Sequence, residues 1–256
     1  MNELVRQTSS LLKSLNLKGI DRHLDELIEG CEDTSRSPLA FLHDVLTTEV
    51  SDRKDRRLRR NLAAAHFPVE KRLETFGFER LSGITETDMT ALRDFRWIDK
   101  NENILFFGPP GLGKTHLSIA LGLEAVHAGY TVCFERMSNL VKLLKTSEIQ
   151  RASAFRIRRI LSSHVLIIDE IGYIPIDRKE ANLFFNLVSE LYERSAIIVT
   201  SNKHFDAWSE MMGDEIMTTA MLDRLLHHAH IFSLSGESYR LESQRKENEM
   251  PALTNG

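Results

Sequence analysis

Apolar and polar positions recur at two different spacings along the chain, and the change of spacing divides it. Over the first 67 residues the apolar positions return every three or four places. Leu4, Leu11, Leu12 and Leu15 predict one helix, and Leu24, Leu27 and Ile28 predict a second that Gly30 terminates. Ser37-Pro38 opens a third, with serine as N-cap and proline at the first helical position. Phe41, Leu42, Val45 and Leu46 continue its face until Phe67-Pro68 stops it. From Val69 to Asn101 the pattern weakens into a connector, with Phe76 and Phe78 as anchors and Thr87-Asp88 as the cap of a short helix. Short apolar runs then appear at Asn103 to Phe107, Thr131 to Phe134, Val165 to Ile168, Ala196 to Thr200 and His230 to Leu234, with helical stretches between them. Alternation of this kind predicts an α/β fold with a parallel sheet flanked by helices. The expected organisation is a helical N-terminal domain over 1–67, a sheet domain over 68–242 and a polar tail over 243–256.

A chain of 256 residues with 42% hydrophobic positions suits a core domain carrying a small appendage. The longest apolar stretches, 104–107 and 165–168, fall far short of the roughly 18 residues a spanning helix needs, and no signal-like block opens the chain. A cytoplasmic protein with no membrane partner is expected. Cys31 and Cys133 are the only cysteines and form no C-x-x-C, so both read as reduced thiols. The formal net charge of -4 argues against a wholly basic nucleic-acid binder, but the average hides a local concentration. Residues 53–60 read Arg-Lys-Asp-Arg-Arg-Leu-Arg-Arg. On a helix, Arg53, Arg56, Arg57 and Arg60 share a face, and with Lys54 and Arg59 they are candidates to track a DNA phosphate backbone. The competing reading is a solvated face partly neutralised by Asp52 and Asp55.

The chemistry centres on Gly108-Pro109-Pro110-Gly111-Leu112-Gly113-Lys114-Thr115, a complete G-x-x-x-x-G-K-[ST] loop between an apolar run and a helical pattern. Its glycines let backbone N–H groups turn inward around phosphate oxygens, and the helix that follows adds its positive dipole end. These eight residues and His116 form the expected nucleotide-contacting set, with Lys114 on the β- and γ-phosphates and Thr115 on Mg²⁺. Val165-Leu166-Ile167-Ile168-Asp169-Glu170 places a second metal ligand, Asp169, at the carboxyl end of a buried strand. Glu170, one residue further on, is the candidate to polarise an attacking water, a role hydrolysis needs and passive binding does not. Asn202, after the run Ile197-Ile198-Val199-Thr200-Ser201, is the candidate γ-phosphate sensor, with a capping role as its rival. Arg224 stands in an otherwise apolar helical segment. It is either an arginine finger for a neighbouring subunit or half of an ion pair with Asp223 or another acid. His227, His228 and His230 lack cysteine or carboxylate companions at metal-site spacing and read as helix-end and strand histidines.

Taken in order, the phosphate loop, Val165 to Glu170, Thr200 to Asn202 and Arg224 resemble the AAA+ ATPases of the DnaA and DnaC branch, over roughly residues 70 to 240. The run Asp169-Glu170-Ile171-Gly172-Tyr173-Ile174-Pro175-Ile176-Asp177, followed by Tyr192-Glu193-Arg194 and Val199-Thr200-Ser201-Asn202, is similar to the IstB transposition helper ATPases of bacterial insertion sequences. Arg56-Arg57-Leu58-Arg59-Arg60 and Ala65-His66-Phe67-Pro68 echo the arginine-rich helix and Ala-x-Phe-Pro junction of that family. The resemblance implies an AAA+ P-loop NTPase core beside a small helical domain, with ATP and Mg²⁺ as cofactors. It further implies a homo-oligomer with ATP sites between subunits, bound to double-stranded DNA largely without sequence preference. That oligomer would recruit or stimulate a partner transposase and would not cut DNA itself. The family often has Arg-Tyr-Glu where this chain has Leu191-Tyr192-Glu193. About thirty residues follow Arg224, so no full C-terminal helical lid is expected, and Arg240 is only a weak substitute for a lid-borne sensor. Two alternatives share the loop: a helicase loader of the DnaC or DnaI type, and a P-loop kinase acting on a small molecule.

Overall fold

The computed structural model describes residues 3–30, 37–173 and 175–239. Cys31, Ile174, Arg240 and the tail 243–256 lie outside the described residues. The chain divides into two compact units, Met1–Arg60 and Asn61–Gly256.

The smaller unit holds α1 (Glu3–Ser14), α2 (Lys18–Arg22), α3 (Leu24–Glu29) and most of α4 (Pro38–Ala65). Ser37 caps α4 as expected: its Oγ accepts a hydrogen bond from Ala40 N at 3.2 Å, and Pro38 occupies the first helical position. The helix ends where His66 adopts a left-handed φ of 62°, immediately before Phe67-Pro68. The second predicted helix is α3, which ends at Gly30 as expected, and the apolar pattern did not signal the short α2 ahead of it. The apolar face expected of the first helix is largely exposed. Only Leu12 is buried, while Leu4, Leu11 and Leu15 stand in solvent, as do Leu39, Leu42, Leu46 and Val50 along α4. Burial in this unit is instead polar at its centre. Glu49 Oε2 accepts from Gly19 N at 2.7 Å and Ile20 N at 3.1 Å, which joins the start of α2 to the middle of α4.

The larger unit begins with the last turn of α4. Asn61 Nδ2 reaches Tyr130 O at 3.5 Å, and Ala64 O and Ala65 O accept from Arg156 at 2.7 and 3.4 Å, so these residues pack with the sheet domain. The connector carries β1 (Leu81–Ser82), α5 (Glu86–Leu92) and α6 (Arg96–Asp99). Thr85, two residues ahead of Thr87, is the cap of α5. Its hydroxyl accepts from Asp88 N at 3.1 Å while the Asp88 carboxylate accepts from Thr85 N at 2.8 Å. There follow β2 (Asn103–Phe107), α7 (Lys114–His127), β3 (Val132–Arg136), α8 (Met137–Thr146), α9 (Arg151–Leu161) and β4 (Val165–Ile171). The described chain closes with α10 (Arg178–Leu191), β5 (Ala196–Ser201), α11 (Trp208–Met212), α12 (Glu215–Leu226), β6 (Ala229–Ser233) and β7 (Ser235–Gly236).

The five strands expected from the apolar runs form one parallel sheet in the order β3-β4-β5-β2-β6. A two-residue antiparallel pair, β1 with β7, lies apart from it. Parallel strands covered on both faces need continuous apolar runs, and β2 and β5 are buried at every position. Leu105, Phe107, Leu166, Ile168, Ile197 and Val199 project to one face, where they pack with Leu140, Phe184, Leu187, Met221 and Leu225 from α8, α10 and α12. Helix α7 packs on β4 and β5. No helix among the described residues is long and apolar enough to cross a membrane.

Candidate nucleotide site

The carboxyl ends of β2, β4 and β5 bring the phosphate loop, Glu170 and Asn202 to one cleft of about 360 Å³, as expected for the crevice of an open parallel sheet. Gly108 leaves β2 with φ 140°, and a Cβ there would lie 2.2 Å from Leu234 O. Gly113, at φ 83°, is the N-cap of α7, and a Cβ on it would strike the Phe76 ring at 2.4 Å. No other residue fits either position, which is the physical content of the motif. Between these glycines the loop folds around Lys114, whose Nζ donates to Gly108 O at 2.6 Å and Pro109 O at 2.7 Å. Leu112 is buried, so it contributes to the loop only through its backbone.

Thr115 Oγ1, the first hydroxyl of α7, donates to Asp169 Oδ1 at 2.8 Å, and Thr200 Oγ1 of β5 donates to the same oxygen at 2.6 Å. The Thr200 hydroxyl also accepts from Glu170 N at 3.0 Å, so it fixes both acidic residues at once. Asp169 is 1% exposed, and its Oδ2 has no hydrogen-bond partner. An anionic oxygen buried beside a threonine hydroxyl fits Mg²⁺, which takes one or two protein oxygens and completes its shell with phosphate and water. The two residues expected from sequence to hold Mg²⁺, Thr115 and Asp169, are hydrogen-bonded to each other here.

Glu170 lies within the register shift between Ile168 and Ile171 in the pairing of β4 with β5, with a left-handed φ of 63°. Such a bulge turns consecutive side chains out of simple alternation. Asp169 stays buried while Glu170 reaches the open cleft, where its Oε2 stands 3.9 Å from Arg136 Nε. Asn202 also lines the cleft, and its Oδ1 is a second buried oxygen without a partner. His116 sits further along, accepting or donating at Nε2 with Arg72 O at 2.8 Å, with its ring 5.1 Å from that of Phe76. Burial pushes its pKa below the ordinary imidazole value, the Arg72 carbonyl opposes this, and nearby Lys71 adds to it.

Sequence reasoning missed several residues here. Thr200 was visible only as one of three polar residues at a strand end. Arg136 needed the sheet register, which sets it opposite Asp169. Pro68, Val69, Lys71 and Tyr239 line the far end of the cleft from segments distant in sequence, with Tyr239 N donating to Gly111 O at 3.1 Å.

Arg224 does not join this cleft. Asn103 Nδ2, at the start of β2, donates to Leu225 O at 3.0 Å, which places the end of α12 at the amino end of that strand. That is about one strand length, roughly 16 Å, from the loop. Arg224 forms no ion pair with Asp223: Nη1 donates to Ala220 O at 2.6 Å, and the guanidinium lies 5.0 Å from the centre of the Phe185 ring. His227 Nδ1 meets Tyr192 OH at 2.9 Å and His230 Nε2 meets Glu102 Oε2 at 2.9 Å.

The basic stripe belongs to the smaller unit. Arg53 Nε donates to Glu49 Oε1 at 2.6 Å and Arg56 Nε to Asp52 Oδ2 at 2.5 Å, and Arg22 adds a second contact to Asp52. Both carboxylates are buried, so these arginines neutralise them. Asp55, the other acid named for neutralisation, takes no such part. Lys54, Arg57, Arg59 and Arg60 are exposed. Cys133, on β3, is buried, and burial raises its thiol pKa.

Comparison with known proteins places this geometry. The signature of IstB-like ATP binding proteins matches residues 10–247. The chain is 39% identical over 236 residues to a protein of Pseudomonas aeruginosa described as an ATP-binding protein of insertion sequence IS21, covering 92% of this chain and 89% of that one. It is 40% identical over 209 residues to the corresponding protein of IS5376 from Geobacillus stearothermophilus, covering 82% and 83%. Among solved structures, DnaI superimposes with a TM-score of 0.54 at 16% identity, over 65% of this chain and 92% of that one. AMPPCP-bound DnaA from Aquifex aeolicus also gives 0.54, at 17% identity, over 74% and 57%. These two likenesses establish the AAA+ P-loop fold. With a signature spanning most of its length and relatives of this identity and coverage, the chain belongs to the IstB-like ATP-binding family.

Proposed function

We propose that the protein binds and hydrolyses ATP with Mg²⁺, assembles head to tail on double-stranded DNA with little regard to sequence, and recruits or stimulates a partner transposase without cutting DNA itself. The observation that carries this reading is the bridge from Thr115 through Asp169 to Thr200, with Asp169 Oδ2 unpartnered and Glu170 one residue on in the open cleft. A passive nucleotide binder needs the bridge but has no use for Glu170.

Lys114 holds the β- and γ-phosphate oxygens, and Thr115 with Asp169 holds Mg²⁺, which when bound neutralises charge on the phosphates. Glu170 takes up the proton of the attacking water, and the Asn202 amide orients that water against the terminal phosphate. Arg224, a strand length from its own loop, serves the site of the next protomer, where it stabilises charge on the transferred phosphoryl group. Contacts of this kind are heterologous and build rings or filaments. Lys54, Arg57, Arg59 and Arg60 supply phosphate contacts, with smaller contributions from Arg53 and Arg56. The insertion-sequence relatives support the transposition setting.

The test compares two variants. Lys114→Ala should lose nucleotide binding together with ATP-dependent assembly on DNA. Glu170→Gln should keep both and lose turnover by about 10²–10⁴-fold. Normal hydrolysis by Glu170→Gln would remove the catalytic assignment.

A further inference from the structure

The helix that carries Arg224 is fastened at its carboxyl end. Leu225 O accepts from Asn103 Nδ2 of β2 at 3.0 Å, while Asn103 Oδ1 accepts from Ile197 N of β5 at 2.8 Å, so one buried amide joins α12 to two strands. The residues that cap α10 and α12 also meet, Tyr192 OH lying 2.9 Å from His227 Nδ1. Met221 and Leu225, three places before Arg224 and one after, are buried in the core. The main chain at Arg224 is thus set by the sheet, and the part left to fix is a long side chain with large rotamer entropy.

Two contacts fix it. Nη1 donates to Ala220 O at 2.6 Å, one turn back on α12, and the guanidinium carbon lies 5.0 Å from the centre of the Phe185 ring of α10. That is inside the roughly 6 Å over which a ring face attracts a cation. Phe185 is itself partly buried against the core that α8, α10 and α12 share, which makes its ring a firm platform. Among the described residues no carboxylate pairs with Arg224, and Ala220 O is its one hydrogen-bond acceptor. A guanidinium has several N–H donors, so most remain for an anion. Arg156 shows the contrast in the same unit: its donors are spent on Glu135 and on three main-chain carbonyls.

We infer that Phe185 is a positioning residue for Arg224, holding the guanidinium charged and with donors to spare for the phosphate of the next protomer. The inference rests on the reading above of Arg224 as a finger in trans. An acid in place of the ring would hold the guanidinium as firmly but would cancel the charge that the transferred phosphoryl group needs. An aliphatic side chain would fill the space and leave the guanidinium to wander, so that its freedom would have to be frozen out at the moment of reaction.

Steady-state ATP hydrolysis by the full chain, under conditions where oligomers form, tests this. Phe185→Leu should lower kcat by about 2–30-fold, the span of a cation–π contact, and leave KM for ATP unchanged, because the phosphate loop of the same chain is untouched. Phe185→Tyr keeps the ring and should stay within about twofold of wild type. Mixing then separates positioning from folding. Lys114→Ala chains lack a working loop but carry an intact ring and finger. In equal mixtures they should lift turnover per Phe185→Leu chain about halfway to wild type, whereas Arg224→Ala chains should bring no rise. A substitution that merely weakened the fold would damage its own loop as well, and fingers from outside would not correct it. Should Phe185→Leu fail to fold, Phe185→Met carries the same comparison. Wild-type turnover in Phe185→Leu overturns the role of Phe185 and leaves the finger in place. So does a loss that Lys114→Ala chains do not correct while they do correct Arg224→Ala. If Arg224→Ala is not corrected either, in mixtures that co-assemble, the finger in trans fails and the role of Phe185 with it.

Discussion

Alanine in place of Arg56 removes the guanidinium whose Nε donates to Asp52 Oδ2 at 2.5 Å. Asp52 has a side chain only 5% exposed and keeps one further partner, Arg22, whose own side chain is half in solvent. A hydrogen bond to a charged group contributes about 1.5–3 kcal/mol, and because Arg56 is partly exposed and Arg22 remains, about 2 kcal/mol is the expected loss. Local opening of the smaller unit should become about 30-fold more frequent, since each 1.4 kcal/mol is a factor of ten. Hydrogen exchange followed by mass spectrometry on the full chain reads this directly, in peptides covering α2 and the middle of α4. Arg59→Ala with Arg60→Ala is the control. Those side chains are exposed, so exchange should hold within a few-fold while the slope of log affinity against log salt falls by about two, near 0.9 per lost phosphate contact. Fluorescence anisotropy with a labelled duplex over a salt series measures it. If Arg56→Ala leaves exchange unchanged and flattens the salt slope as much as the control does per residue, the division between neutralising and DNA-contacting arginines is wrong.

Thr200→Val keeps shape and burial but deletes the hydroxyl that joins Asp169 to Glu170 N, so turnover should fall about 10–100-fold with the melting temperature nearly unchanged; full activity would show that the bridge has no role. Burial pushes the Glu49 carboxyl up, but the hydrogen bonds from Arg53, Ile20 N and Gly19 N outweigh this and hold it below its ordinary 4.5. A folded-state value below the unfolded one adds stability above the unfolded range and loses it as pH falls through the lowered value. The smaller unit should therefore be well protected at neutral pH and loosen as the pH falls below 4.5 and through the lowered Glu49 value, and protection that rises on acidification would refute the assignment. Arg224→Ala and Lys114→Ala should each be inactive alone, whereas equal mixtures should regain about one composite site in four by random pairing. No recovery under conditions where mixed oligomers form would count against a finger in trans.

Much of the core was legible because its signals are local. The run Asn103 to Phe107 followed by the glycine-spaced loop fixed a strand, a turn and a helix start, and the four other apolar runs gave the remaining strands to within a residue or so at most ends. Asp169 followed from its place after such a run. Glu170 was named correctly as a residue, but its left-handed φ and the bulge that turns it into the cleft come from the pairing of β4 with β5. Arg136 and Thr200 depend on sheet register, which no single segment encodes. The first helix shows a different failure. Leu4, Leu11 and Leu15 have the right period, yet a period says which residues share a face and not whether anything covers it. The neutralised arginines were within reach of the sequence, since Glu49 precedes Arg53 and Asp52 precedes Arg56 by four places.

Arg224 at the amino end of β2 and the phosphate loop at its carboxyl end give each protomer two unlike poles. If the first serves the second of a neighbour, a row of n chains contains n − 1 complete sites, and one terminal chain holds nucleotide that it turns over slowly. Turnover per chain then rises with concentration as rows lengthen, and the two tips of a row age differently: one loses its nucleotide early, the other keeps it. A closed ring has no such tip. The separation of two residues across one sheet would thus give an open assembly on DNA both a direction and a clock.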